Sequence, residues 1–110
     1  MFGALDCEID IAALERLRAN GEELAIVDVR EPWEREICAI AGSVGVPLEA
    51  LPARAEEFRE VSTLVLVCHH GVRSLEAALW LRRQGFENAV SLQGGIDAWA
   101  SERDPAMRRY

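Results

Sequence analysis

Hydrophobic and polar positions fall into blocks whose spacing changes repeatedly along the chain. Leu24 to Val29 is an apolar run interrupted only by Asp28, and Thr63 to Cys68 is a second nearly continuous one. Runs of this kind suit strands covered on both faces, the usual setting of a parallel sheet. Ala89 to Leu92 predicts another strand; Glu8–Ile9 and Val44–Val46 predict two short ones. Helical spacing fills the gaps. Ile11 to Ala19 carries Leu14 and Leu17 on its apolar side, with Asp10 as N-cap and Asn20-Gly21 as the stop. Pro32 suits the first turn of a short helix. Leu48 to Glu60 reads as one helix with Pro52 near its start. Arg73 to Gln84 reads as a helix whose buried face is Ser74, Ala77, Ala78 and Leu81, closed by Gly85. Gly94-Gly95 turns the chain into a last helix from Ile96, and Asp104-Pro105 opens an irregular tail. Alternation of this kind predicts a layered α/β fold, with residues 1–110 as one domain.

Composition narrows the chemistry. The chain has 110 residues, half of them hydrophobic, and a formal charge of −7, which argues against nonspecific nucleic-acid binding. All 12 basic residues are arginine, so lysine Schiff bases and lysine-bearing phosphate loops are excluded. The two histidines, His69 and His70, are adjacent; an imidazole base or ligand must be one of them. Met1 to Asp6 has neither a basic region nor a long apolar stretch, so no signal peptide is expected. No apolar run is long enough for a membrane span. Three cysteines in no scaffold-like spacing point to reduced thiols and a cytoplasmic setting.

The most informative segment is Val67-Cys68-His69-His70-Gly71-Val72-Arg73-Ser74. A predicted strand delivers Cys68 to its end, and a predicted helix starts at Arg73. In a parallel α/β sheet such a turn lies at the carboxyl edge, where ligands bind. The first N–H groups of the helix have no intrahelical partner, and the helix dipole adds partial positive charge there. The segment therefore reads as an anion-binding loop around Cys68 as nucleophile, with His69, His70, Gly71, Val72 and Arg73 forming the loop. Gly71 permits close backbone approach, and Arg73 supplies fixed charge for an anionic substrate. A metal held by Cys68, His69 and His70 is not expected, because adjacent side chains diverge and no second ligand cluster is in reach.

Three blocks together make the chain resemble a single-domain rhodanese, a sulfurtransferase. They are Asp28-Val29-Arg30-Glu31-Pro32-Trp33-Glu34, the Cys68–Ser74 loop, and Gly94-Gly95-Ile96-Asp97-Ala98-Trp99. Ile40-Ala41-Gly42-Ser43-Val44 and Val46-Pro47-Leu48 fit between the first two. The resemblance spans about residues 8 to 103. It implies a three-layer α/β/α fold with a five-stranded parallel sheet. It also implies transfer of a sulfane sulfur, from thiosulfate or a persulfide donor, through a Cys68 persulfide to cyanide or a thiol. No cofactor is implied. Small-molecule donors and acceptors are the expected partners, a protein persulfide stays open, and neither nucleic acid nor membrane is expected.

By the same resemblance Asp28 and Arg30 brace the loop; an ion pair serving only the fold is the competing reading. Trp33 is read as a core aromatic in preference to a pocket wall, Trp99 as core, and Trp80 as half exposed. Cys7 and Cys38 have no evident activating neighbour. Two other functions compete. Phosphatases and arsenate reductases of related design place five residues between cysteine and arginine, whereas four separate Cys68 from Arg73. A non-catalytic binding or sulfur-carrier module is the second alternative.

Overall fold

A computed structural model describes residues 7–21 and 23–110; the reading of Met1 to Asp6 lies outside them. Five strands form one sheet in the order β1-β5-β4-β2-β3, and every neighbouring pair is parallel. They are β1 (Glu8–Ile9), β2 (Leu24–Asp28), β3 (Val44–Gly45), β4 (Thr63–Val67) and β5 (Ala89–Leu92). β4 takes the centre, pairing Leu64 to Leu66 with Ala89 to Ser91 on one side and Thr63 to Val67 with Leu24 to Asp28 on the other. A central strand covered on both faces has no solvated side, which is why Leu64 to Val67 are all apolar and all buried.

Helices cover both faces. On one, Ala77, Ala78 and Leu81 of α4 (Val72–Arg83) pack with Leu51 of α3 (Leu51–Arg54), Phe58, Leu64 and Leu66. On the other, Ile11 and Leu14 of α1 (Ile11–Ala19) pack with Ile96 and Trp99 of α5 (Gly95–Glu102), Val65, Val67, Val90 and Leu92. A fifth helix, α2 (Pro32–Ile37), follows β2. The α/β reading and the five-stranded parallel sheet thus hold. The expected helix over 48–60 is instead three short pieces: a 3₁₀ turn at Leu48–Ala50, α3, and a second 3₁₀ turn at Ala55–Phe58. Pro52 explains the first break. It has no N–H to give the Leu48 carbonyl, and Leu51 N–H bonds that carbonyl in 3₁₀ fashion instead.

The helices after β4 and β5 leave toward opposite faces, since α4 belongs to one core and α5 to the other. A crevice forms between such diverging connections at the carboxyl edge. The start of α5 closes it from one side. Ile96 N–H donates to the Cys68 carbonyl at 2.9 Å, and Asp97 N–H to the His69 carbonyl at 3.1 Å. Gly95 makes this docking possible: φ is +61°, and a Cβ there would overlap the Cys68 and His69 carbonyl oxygens. Gly95→Ala therefore combines a left-handed backbone with a collision against main chain. Its expected cost in urea unfolding is about 2–3 kcal/mol, at the upper end for single substitutions. A change below about 0.5 kcal/mol, the level of an ordinary surface substitution, would mean that α5 does not hold the Cys68 turn.

Candidate active site

Cys68 directly follows β4, and its residue surface is 1 % exposed. Two backbone N–H groups donate to its Sγ, from Gly71 at 3.1 Å and from Ser74 at 3.3 Å. The chain can fold back this sharply because Gly71 takes φ +102°, a conformation costly for any residue with a Cβ. Gly71 is also pressed against the start of α5, where an added Cβ would lie 3.2 Å from Gly94 N. Val72 points outward, 69 % exposed.

Beneath the sulfur lies a short column of hydroxyls. Ser74 Oγ is 3.3 Å from Cys68 Sγ and 2.7 Å from Ser91 Oγ, and both serines are buried. A hydroxyl accepts from a thiol or, after rotation, donates to a thiolate. The column therefore satisfies the sulfur in either protonation state. Ser74 was legible only as a residue of the buried helix face; Ser91 gave no signal, since its position in β5 reads as an ordinary strand residue.

Arg73 turns toward α2. Its guanidinium grips Glu34 with two parallel bonds, Nη1 to Oε2 and Nη2 to Oε1, each 2.9 Å. Glu34 is buried and accepts two further bonds, from the Glu31 N–H to Oε2 at 2.8 Å and from the Tyr110 hydroxyl to Oε1 at 2.7 Å. Arg73 above all, with these other donors, holds its carboxyl well below the usual range, at about 2, against the opposing effect of burial. Neither Glu34 nor Tyr110 stood out as a site residue in the sequence.

Asp28 and Arg30 are both buried and joined by bonds of 2.7 to 3.1 Å. Arg30 also donates to the carbonyls of Cys38, at 2.7 Å, and Glu34, at 3.4 Å, and to Tyr110 Oη at 2.9 Å. Arg35 adds a second cation to Asp28 at 3.0 Å. None of these bonds reaches residues 68–73. The bracing expected of Asp28 and Arg30 is thus one step removed, passing through Glu34 and Tyr110.

At the other end of the turn, the His69 ring lies between two aromatic rings. It stacks on His70 and on Tyr110, each at 4.0 Å between centroids. Burial, and then the neighbouring His70, push the His69 pKa down, which favours the neutral ring. His69, His70 and Asp97 bring three donor atoms to within 4.8 Å of one another, the cluster among the described residues that could hold a cation. Asp97 already faces the Arg109 guanidinium at 2.9 Å, so an ion there would have to displace it. Trp33 corrects its sequence reading. It is 57 % exposed and meets Tyr110 edge to face at 5.8 Å, outside the core. It follows Pro32 in the first turn of a helix whose buried residue is Glu34, which leaves position 33 on the outer side. Trp99 is core as expected, and Trp80 is half-buried.

A cysteine at the end of a central parallel strand, its sulfur capped by amides of the following helix start, defines an α/β protein with a thiol-centred loop. The model of the rhodanese-like domain matches residues 10–102, and the chain belongs to that family. It is 34 % identical to a sulfurtransferase of Allochromatium vinosum, covering 91 % of this chain and 94 % of that one. It is 40 % identical to the probable adenylyltransferase/sulfurtransferase MoeZ of Mycobacterium tuberculosis, over 83 % of this chain but only 24 % of that protein. The chain thus spans about a quarter of that longer relative's length. The crystal structure of a rhodanese-related protein from Thermoplasma volcanium superposes with a TM-score of 0.77 at 31 % identity, covering 87 % of this chain and 92 % of that one. The family's members include proteins named as sulfurtransferases and as a putative sulfur carrier. Among the described residues no helix is long and apolar enough to cross a membrane.

Glu34 sets an acid limit on this architecture. Its carboxyl is held at about 2 in the folded chain and ordinarily titrates near 4.5. The stabilisation is present in full above about pH 4.5 and is lost as pH falls toward 2, because the unfolded chain takes up the proton first. Glu34→Gln is expected to cost about 1–3 kcal/mol at pH 7, the worth of hydrogen bonds to a charged group, and to flatten the acid limb of the stability curve. Urea titrations from pH 7 to 2.5 test this; parallel curves for both proteins would rule out the Arg73–Glu34 pair as the source.

Proposed function

We propose that the protein transfers sulfane sulfur through a persulfide on Cys68. The Cys68 thiolate attacks the outer sulfur of a donor such as thiosulfate. A sulfur–sulfur bond forms to Cys68, the donor's own sulfur–sulfur bond breaks, and sulfite leaves with the electron pair. The persulfide's terminal sulfur then carries the negative charge. Cyanide or a thiolate attacks it, forming thiocyanate or a new persulfide, and the electron pair returns to Cys68. This is double displacement with one nucleophile, so no external oxidant or reductant is needed.

The observation that carries the reading is the pair of backbone amides on Cys68 Sγ, from Gly71 and Ser74, inside a turn with four residues between Cys68 and Arg73. Amides fixed in advance stabilise charge at sulfur without reorganising during the reaction. A turn this tight suits one sulfur atom better than a tetrahedral oxyanion with three equatorial oxygens, each needing a donor of its own. This favours sulfur transfer over phosphate-ester or arsenate chemistry. The linked network around the turn supplies electrostatic support. Two carboxylates, Asp28 and Glu34, face three guanidiniums, Arg30, Arg35 and Arg73, leaving one net positive charge beside the turn of an acidic chain.

Arg73 takes a different part from the one its sequence position suggested. Both terminal nitrogens of the guanidinium are engaged by Glu34, so the side chain ties the end of the turn to α2 before any donor arrives. Its charge reaches a donor as part of the network and not as a free cation.

Two substitutions test the proposal. Cys68→Ser is expected to abolish sulfur transfer from thiosulfate to cyanide, and the added 32-Da sulfur on Cys68 in mass spectra of the donor-treated protein, while circular dichroism stays native. Substantial turnover in this variant, with sulfur on Cys7 or Cys38, would refute the assignment. Arg73→Ala is expected to lower kcat/KM about ten- to a hundredfold, the equivalent of losing charge-assisted hydrogen bonds. The loss should be similar, within about threefold, for thiosulfate and an uncharged sulfane donor such as an organic trisulfide, as a tether predicts. A loss larger than about tenfold confined to thiosulfate would mean that Arg73 reads donor charge directly.

A further inference from the structure

The segment after α5 lies outside the matched family region of residues 10–102, yet it is firmly docked, and it docks on the candidate site. Met107 packs against the core beside α5. Arg109 bonds Asp97 Oδ1 at 2.9 Å and Ser101 Oγ at 2.7 Å. Tyr110 then reaches across both ends of the Cys68 turn. Its ring covers His69, the residue after Cys68, and its hydroxyl bonds the carboxylate that grips Arg73. The same oxygen accepts from the buried Arg30. Burial pushes the phenol up to about 12, so it keeps the proton it donates to Glu34. The space left between the tail, His69, Cys38 and α5 is about 10 Å³, no more than one water requires. Arg108, Arg109 and Tyr110 thus line one flank of the crevice and leave little space beneath them, while Tyr110 itself stays 37 % exposed.

We propose that Tyr110 is a specificity-determining residue, the end of a strap that closes one flank of the mouth above Cys68. With the strap seated, Cys68 is reached by small reagents such as thiosulfate and cyanide. A bulky donor or acceptor, including a persulfide carried on another protein, must first displace Tyr110 from His69 and from the Arg30–Glu34 pair. The strap is held by the stack on His69, the edge contact with Trp33, two hydrogen bonds at Tyr110, the exposed Arg109 bonds to Asp97 and Ser101, and the packing of Met107. Such contacts are individually modest, so a partner that offers comparable contacts can exchange with it.

The proposal rests on Cys68 being the reacting thiol, and its test does not require sulfur transfer. Cys68 is alkylated with iodoacetamide and, separately, with a pyrene-bearing iodoacetamide, and the modification of each cysteine is followed by peptide mass spectrometry. In Tyr110→Ala the ratio of bulky to small rate constants at Cys68 is expected to rise at least about fivefold, as when a stack and two hydrogen bonds that held a closed state are lost. The small-reagent rate is the reference: in Arg109→Ala, which removes no donor to Glu34 and leaves the Gly71 and Ser74 amides in place, it should stay within about twofold. Tyr110→Phe, which keeps the stack, should fall between, and Arg109→Ala should raise the ratio without altering any contact to the turn. An unchanged ratio in both Tyr110→Ala and Arg109→Ala overturns the strap. An equal rise with both reagents also overturns it, since Tyr110 would then act by ordering the turn and not by limiting access. A raised ratio in a protein without thiosulfate turnover would leave the strap standing and sink the sulfur-transfer reading; turnover with an unchanged ratio would do the reverse.

Discussion

The site depends on one saturated carboxylate. Glu34 accepts four hydrogen bonds, from both terminal guanidinium nitrogens of Arg73, the Glu31 amide and the Tyr110 hydroxyl. It thereby joins three parts of the chain: the start of α2, the end of the Cys68 turn, and the tail. A buried carboxylate is costly unless fully paired, and a half-paired one is worse than none. Every donor in this set is therefore needed by the others. Loss of any one leaves a buried charge under-satisfied, which gives the arrangement a definite geometry as well as stability. Arg30 plays the complementary part. It is wholly buried, and Asp28, Cys38, Glu34 and Tyr110 between them occupy its guanidinium.

The turn itself is held from opposite directions. From inside, the Gly71 and Ser74 amides converge on the sulfur. From outside, the first amides of α5 take the carbonyls of Cys68 and His69. The Gly71 and Ser74 amides present their positive ends to the sulfur, while the Cys68 and His69 carbonyls are taken up by α5. Two backbone donors are thus fixed on the sulfur with no charged side chain bonded to it. This is why Gly71 and Gly95, far apart in the chain, meet the same constraint. Each lets one backbone lie against another where a side chain would intervene, Gly71 against Gly94 and Gly95 against the turn.

What could be read from the sequence divides along range. Strands and most helices were legible because apolar spacing is a local property; β1, α1 and β5 match their predicted spans. The Cys68 turn was legible for the same reason, being a contiguous motif between a strand and a helix. The long 48–60 segment was misjudged although Pro52 was in plain view, because apolar spacing alone does not register one missing N–H. Trp33 was misjudged because its size suggests burial, while the position is dictated by Glu34, its neighbour on the other side of the same helical turn. Glu34, Ser91 and Tyr110 were missed for a different reason. Their partners lie 39, 17 and 76 to 80 residues away in sequence. No periodicity or local spacing marks a residue whose role exists only after the sheet has formed. A glutamate in the first turn of a helix looks like a favourable dipole contact, and here it is also the anchor of the site.

The electrostatics reconcile an acidic protein with the anionic donor proposed for it. A charge of −7 spread over the whole surface repels thiosulfate at long range, but salt at physiological strength screens such interactions beyond roughly 8 Å. Inside that distance the donor meets the linked network beside the turn, where three guanidiniums outnumber two carboxylates, and the fixed amides on Cys68. Those charges are partly or wholly buried, so salt weakens them less. Rising ionic strength therefore removes the repulsion faster than the attraction. The anion recognition proposed for this chain is local, built from paired charges and fixed amides, and it needs neither a lysine nor an unpaired arginine.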